Sequence, residues 1–534
     1  MKNTLNSAEN RAKYLDWGIF SAVLFVLLFF LARYTIYTLD ADASSELVLA
    51  KHLADMGGGI MSKNWYYSTE IKFLCDQLAF ELMFFFTDNW RIVRFGGTLI
   101  LIAILLVCYY HFCRELDIKR SFPLLAAITL LPLSDIYFNI IYKFSYYPQY
   151  IFTGYIVLAA VFCFARIPGK KRYISFALAL LMSLAAGILG FRLMLTIYAP
   201  LMLAALSFLW ADRSSAESRK QLIGSAVLTA AALAGMVLNQ LVIAPNYSFH
   251  DYTTISFTGF SLTGIENMIT GALSILGYRS GASVFSAELL PTALSGILLL
   301  LSFFSAWYIL RRRELFSPAQ QTAAWFYVWS MAVLCLLYCF TDMGYYTYHS
   351  IQAVLHGLPL IFICFGKKDS FGRLGRPLLL GVTCFALLCG ALHYNDMRKV
   401  DKTRALREAS AFLAESDYDQ GYASFWIGNL ATELANGEID VWVWDDLNLM
   451  TIKDPDQIVP WLQSKAHDQP PAKGKVFILL TANEAYYAPF AQAFSEDDII
   501  YRTENYYEAA SDEFVIFGFD SYEDMRAKFL SAFQ

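Results

Sequence analysis

Eleven apolar stretches dominate this chain, each roughly 17 to 23 residues long, the length a helix needs to cross ~30 Å of hydrocarbon. They run near 17–38, 95–113, 121–141, 150–166, 173–191, 193–210, 221–243, 287–310, 322–340, 350–365 and 377–393. The fifth and sixth are separated by almost nothing around Gly190 to Arg192. A composition of 57% hydrophobic and 16% charged residues, with a mean hydropathy of +0.43, agrees with an integral membrane protein and excludes an ordinary soluble domain.

Charge predicts the orientation of the bundle, because short cytoplasmic loops hold more Lys and Arg than external ones. Lys2, Arg11 and Lys13 precede the first stretch, and every second loop repeats the sign: Arg114, Lys119 and Arg120; Arg166 with Lys170 to Arg172; Arg213, Arg219 and Lys220; Arg311 to Arg313; Lys367, Lys368, Arg373 and Arg376. An odd number of crossings then places the first loop, the 244–285 loop and the tail after 394 outside. The expected protein is a mainly α, multi-pass bundle in the cell membrane, with its N-terminus cytoplasmic. Residues 1–394 form its membrane domain, with a large first external loop over 39–92, and 395–534 form a small extracytoplasmic α/β domain.

The tail changes character, with 25 acidic against 12 basic residues and a net charge of −13. Short β-rich runs such as "KVFILLT" and "EFVIFGF" alternate with helical ones, and Ser521 with Asp524 makes a capping box. Trp426, Trp442 and Trp444 read as core residues more readily than as sugar-stacking ones, and nothing in the tail looks catalytic. Of nine cysteines none falls after residue 394, and none has zinc spacing. Most sit in the spans, where a thiol behaves as a small hydrophobe.

Chemistry is concentrated in the first loop. Residues 38–52, "TLDADASSELVLAKH", put Asp40 and Asp42 directly after the first span. The small-x-small triplet Ala41-Asp42-Ala43 is what a signal peptidase cuts, but the apolar segment before it exceeds the roughly 7 to 15 residues of a signal core. An amphipathic helix over 43–55, lying along the surface and capped by Asp42, would explain one aspartate, not two. Then come a glycine turn at 57–59, the aromatic cluster Trp65, Tyr66 and Tyr67, the charges Glu70 and Lys72, and a second apolar segment too short to span. The loop reads as a carboxylate-lined cavity between two membrane-lying helices, and charge at a bilayer edge points to function.

This arrangement resembles the GT-C glycosyltransferases, which take sugars from polyprenyl phosphates, and within them the bacterial protein-mannosyltransferase and aminoarabinose-transferase branch. That branch carries an Asp-Glu pair, an Ala-Arg about eight residues on, then a glycine, an aromatic and Glu-Lys-Pro-Pro. Here Asp42 lies eight residues before Ala50-Lys51, Gly57 to Gly59 follow, and "WYYSTEIK" stands in place of the Glu-Lys. Ala43 replaces the second acid, and Ile71 separates Glu70 from Lys72. The resemblance implies an inverting sugar transfer with Asp42 as general base and Asp40 or Glu70 orienting the acceptor. Lys72, Arg192, Tyr345, Tyr348 and His349 would hold the phosphate, with Trp65 and Tyr66 lining the substrate site. Lys143 beside Tyr146 and Tyr147 reads as an aromatic belt. The implied partners are a polyprenyl-phosphate sugar donor, membrane lipid, and a glycan, lipid or protein acceptor, with no nucleic acid. Asp40, Asp42 and Glu70 would suit Mg²⁺ or Mn²⁺, but the branch resembled manages without, so no cofactor is expected. A transporter or flippase, or a non-catalytic assembly protein, would share the many helices.

Overall fold

The computed structural model describes residues 2–68, 71, 73–74, 76–143, 147–166, 169–250, 255–342, 351–471, 474–505 and 513–533. Among them nine helices are long and apolar enough to cross a membrane. In chain order the helical elements begin with α1 (Lys2–Tyr34), α2 (Ala41–Asp55), α3 (Gln77–Phe84), α4 (Trp90–Glu115), α5 (Phe122–Leu130), α6 (Asp135–Phe138), α7 (Tyr147–Arg166), α8 (Lys170–Leu189), α9 (Phe191–Leu193), α10 (Ala199–Ala211) and α11 (Ala216–Leu238). They continue with α12 (Thr263–Ile275), α13 (Leu289–Arg311), α14 (Pro318–Phe340), α15 (Ile351–Gly366), α16 (Lys368–Phe371) and α17 (Gly375–Met397). The two expected spans outside the nine are the short apolar helix α15 and the pair α5 and α6, which is bent by 105°.

That bend has a local cause. Pro132 has no N–H to donate and pushes the residue before it out of the helical region, and Leu131 duly has ψ 126°. Ser134 restarts the chain by capping α6, accepting from the Tyr137 N–H at 3.1 Å. Carbonyls released at the break are taken by phenols further along: Tyr137 donates to the Thr129 carbonyl at 2.5 Å and Tyr142 to that of Leu130 at 2.7 Å. Such partners are what backbone groups at membrane depth require. A π-helical turn over Asn139–Lys143 follows and ends on Lys143.

Strands tie the loops of one bundle end together. They are β1 (Trp65–Tyr67), β2 (Ser248–Phe249), β3 (Gln420–Ser424), β4 (Asp440–Trp444), β5 (Gln463–Ser464), β6 (Val476–Thr481), β7 (Ile499–Arg502) and β8 (Phe514–Phe519). β1 from the first loop pairs with β2 from the 244–285 loop and with β5 from the tail, and Phe257 bridges Thr341. All of these segments therefore lie at one end, called here the domain end. The Arg- and Lys-rich loops lie at the other, where Arg376 bonds Asp16 at 3.0 Å.

The tail forms a five-stranded sheet in the order β4-β3-β6-β8-β7. β4, β3 and β6 are parallel, while β8 and β7 complete it antiparallel. β6, "VFILLT", is a nearly continuous apolar run, as a strand covered on both faces must be. α18 (Arg404–Ala414) and α19 (Phe425–Leu434) cover one face. The short helices α20 (Ala482–Ala485), α21 (Ala488–Ala493) and α22 (Tyr522–Ser531) cover the other. Ser521 caps α22, accepting from the Asp524 N–H at 3.1 Å. Trp442 and Trp444 are buried in this core, whereas Trp426 is exposed.

Candidate active site

The site is built at the start of α2, and the structure assigns the two aspartates differently from the capping alternative in the sequence. Asp40, not Asp42, is the cap: its side chain accepts from the Ala43 N–H at 3.1 Å. An extended residue just before a helix can turn its carboxylate back onto the free N–H groups of the first turn. Asp42 sits within that turn, half-buried.

Asp40 also accepts from Lys143 Nζ at 2.6 Å, and the lysine is almost fully buried. Lys143 is therefore a partner of the candidate site and not a member of an interfacial belt. The proline bend and π turn that deliver it are visible in the sequence only as "LLPLSD" and a lysine at the end of an apolar run. Four residues on, α7 begins, and Tyr147 and Tyr150 carry the guanidinium of Arg192 over their rings at 5.6 and 5.4 Å. Arg192 reaches them because Gly190, at φ +123°, reverses the chain between α8 and α9. Asp40, Asp42, Lys143 and Arg192 thus all belong to the domain end.

α2 is not a surface helix. One side packs on α3 and the other on α19 of the tail, so that Ala43, Glu46, Leu47, Ala50 and Leu53 are buried. Arg94 near the start of α4 fastens this sandwich. Its guanidinium pairs with Glu433 of α19, one Nη2 contact being 2.5 Å, and donates to the Ala43 carbonyl at 3.0 Å. Asn429 of α19 donates to Ser45 at 2.8 Å.

The aromatic cluster lies at the joint between loop and tail. Trp65 is buried under Leu49 and Leu53, its ring 5.6 Å from that of His52. Tyr66 donates to both carboxylate oxygens of Asp468, at 2.9 and 2.8 Å. Burial, then that hydrogen bond and charge, push its phenol up to about 12. The glycine turn is fixed from α3, where Glu81 accepts from the Gly59 N–H at 2.9 Å. Burial raises the Glu81 carboxyl above its ordinary value. Glu70, Lys72, Tyr345, Tyr348 and His349 lie outside the described residues. Among the described residues no three His, Cys, Asp or Glu side chains converge in a way that could hold a metal ion.

No family model matches the chain, and no curated protein matches it in sequence. Solved structures do match its shape. ArnT from Cupriavidus metallidurans in the apo state superposes with a TM-score of 0.54, at 14% identity, over 93% of this chain and 97% of that one. The same protein bound to undecaprenyl phosphate gives 0.52 over the same shares, also at 14% identity. The Archaeoglobus fulgidus oligosaccharyltransferase, in complex with Zn and sulfate, gives 0.51 at 11% identity over 89% and 70%. Identities this low speak to the fold alone, and they do so over almost the whole chain. The chain has the GT-C fold, a multi-pass helix bundle with a C-terminal sheet region, as ArnT does.

Proposed function

We propose that the protein is a membrane glycosyltransferase that moves a sugar from a polyprenyl-phosphate donor to a cell-envelope acceptor, on the external side of the membrane. The observation that carries this reading is the pairing of Asp40 with Lys143 at 2.6 Å, which fixes the start of α2 and with it Asp42, within the GT-C fold. The structural neighbours support it: one is ArnT, seen bound to undecaprenyl phosphate, and another is an oligosaccharyltransferase.

The chemistry assigned to the site is a single inverting displacement. An acceptor hydroxyl attacks the anomeric carbon and gives its proton to Asp42. The bond from that carbon to the phosphate oxygen breaks, and the electron pair leaves with the polyprenyl phosphate. A half-buried carboxylate serves as base, and cations stabilise the charge that grows on the leaving phosphate. Arg192, held at the domain end by Tyr147 and Tyr150, is the described residue that supplies such a cation, with Lys72 as the sequence's other choice. Lys143 orients Asp40 and keeps the first turn of α2 in place. No resident metal is assigned to this site.

The test is mass spectrometry of envelope glycans from cells with and without the protein, joined to an assay of the purified protein with labelled polyprenyl-phosphate sugars. Loss of one sugar substituent, and transfer in the tube from one donor, are expected. Unchanged glycans together with no donor consumed would contradict the reading.

A further inference from the structure

The tail holds a second constellation that the transfer chemistry does not use. β3 is followed by α19 and then by β4 on one side of it, while the later strand β6 lies on its other side. The connections after β3 and β6 thus part in opposite directions, and in such sheets a crevice opens beyond the carboxyl ends of the strands. Ser424, the last residue of β3, stands at its floor. Its side chain is fully buried, and among the described residues its hydroxyl has no hydrogen-bond partner. Although Ser424 precedes α19, it does not cap that helix. The first N–H of α19, from Phe425, is taken instead by Asp446 at 3.0 Å.

Around this floor the three parallel strands each contribute a half-buried polar group or an exposed apolar one. β4 runs on into Asp446 and Leu447, β6 into Glu484 and Tyr486, and β3 into Trp426. Trp426 is 54% exposed, Leu447 74% and Tyr486 76%, although Trp442 and Trp444 nearby are buried. The Trp426 indole lies close to the Asp446 carboxyl, and the charge of Glu484 reaches that carboxyl as well. Glu484 is held in place by Thr481, whose N–H donates to it at 2.7 Å.

The strand ends at which this topology places a crevice lie beside the candidate active site, not away from it. α2 and α19 pack side by side and run the same way: Ala41 clusters with Phe425 at their starts, Ser45 meets Asn429 one turn in, and Arg94 ties Ala43 to Glu433. Packed helices lie about 8–10 Å apart. The start of α19, with Ser424, Trp426 and Asp446, is therefore a neighbour of the start of α2, with Asp40 and Asp42.

We propose that this crevice binds a saccharide, and that the saccharide is the acceptor whose hydroxyl is presented to Asp42. The proposal rests on the transferase reading for the word acceptor, but not for the binding itself. Exposed indole and phenol rings next to carboxylates suit a sugar, whose C–H face packs on a ring while its hydroxyls donate to the acids. Asp446, Glu484 and the neighbouring Asp445 repel an anion, so the ligand is a neutral or amino sugar and not a phosphate or an acidic peptide.

The experiment uses the full chain in detergent on an array of defined oligosaccharides of glucose, galactose, mannose, rhamnose, N-acetylglucosamine and galactosamine. At least one class is expected to bind. Trp426→Ala should weaken that binding roughly tenfold or more, the loss of one stacking ring and its support, while Trp426→Phe stays near wild type. Trp426 is exposed, so melting curves of the variants should match that of the wild type. In the transfer assay Trp426→Ala should raise the acceptor KM more than it lowers kcat. No bound glycan, or glycan bound equally by Trp426→Ala, overturns the proposal. Glycan binding that needs Trp426 in a protein that transfers nothing would sink the transferase reading and leave the crevice standing. Transfer whose acceptor KM ignores Trp426 would do the reverse.

Discussion

Two carboxylates of the same residue type, two positions apart, end up with different work because of what each touches. Asp40 takes an amide and an ammonium, whereas Asp42 stands in the first helical turn. The sequence showed the pair and its place at a membrane edge, but not the division, because the cation that separates them is 103 residues away behind a proline bend. That dependence makes Lys143 testable. Lys143→Met leaves Asp40 partly buried without its ammonium, a loss on the order of 1–3 kcal/mol. Melting temperature in detergent and sugar-transfer rate should both fall, whereas Lys143→Arg should retain most of each. A residue that the sequence left out, Asp446, makes a second test. Burial first, then the charge of Glu484, push its carboxyl from 3.8 up to about 6. The folded chain thus holds this proton more tightly than the unfolded chain, so its contribution is complete below pH ~4 and is lost as pH rises through ~6. Asp446→Asn, which can still accept from the Phe425 amide, should melt higher than wild type at pH 7.5. The gap should close at pH 4, as scans of the two proteins across that range would show.

At the scale of elements, apolar length alone located the spans, because a helix that faces lipid has nowhere to hide a polar run. What length could not show was shape. α5 and α6 read as one stretch until Pro132 turns them, and the described part of α15 is buried among neighbouring side chains. α2 was legible as a helix but not as a buried one, since the partner that covers it, α19, lies nearly 400 residues on. Its anchor is the ion pair of Arg94 with Glu433. Removing one member of a buried pair strands the other, at a typical cost of about 3–5 kcal/mol. Arg94→Met should therefore loosen the tail from the bundle, and limited proteolysis should cut the linker after α17 faster than in wild type. Unchanged cleavage would mean that β1, β5 and Tyr66 with Asp468 hold the tail unaided.

Across the whole molecule, the bundle, its membrane class and the α/β character of the tail followed from composition and pattern. The nearness of Trp426, Asp446 and Glu484 in the tail did not, because three chain segments far apart in sequence meet there only once the strand order is known. Charge predicts the orientation: a tag after Gln534 or within 244–285 should be reachable from outside, and one within 367–376 only from the cytoplasm. A cytoplasmic tail would turn the acidic pair away from any envelope acceptor. The claim on which everything else depends is that Asp42 removes a proton. Since Asp40 is the cap, Asp42→Asn leaves the cap of α2 in place while removing the ability to act as base. The decisive measurement is the turnover of a labelled polyprenyl-phosphate sugar by purified Asp42→Asn, with donor binding measured alongside. Turnover should drop by ~10²- to 10⁴-fold, the usual worth of a general base, while the donor still binds. Wild-type turnover in Asp42→Asn would contradict the account.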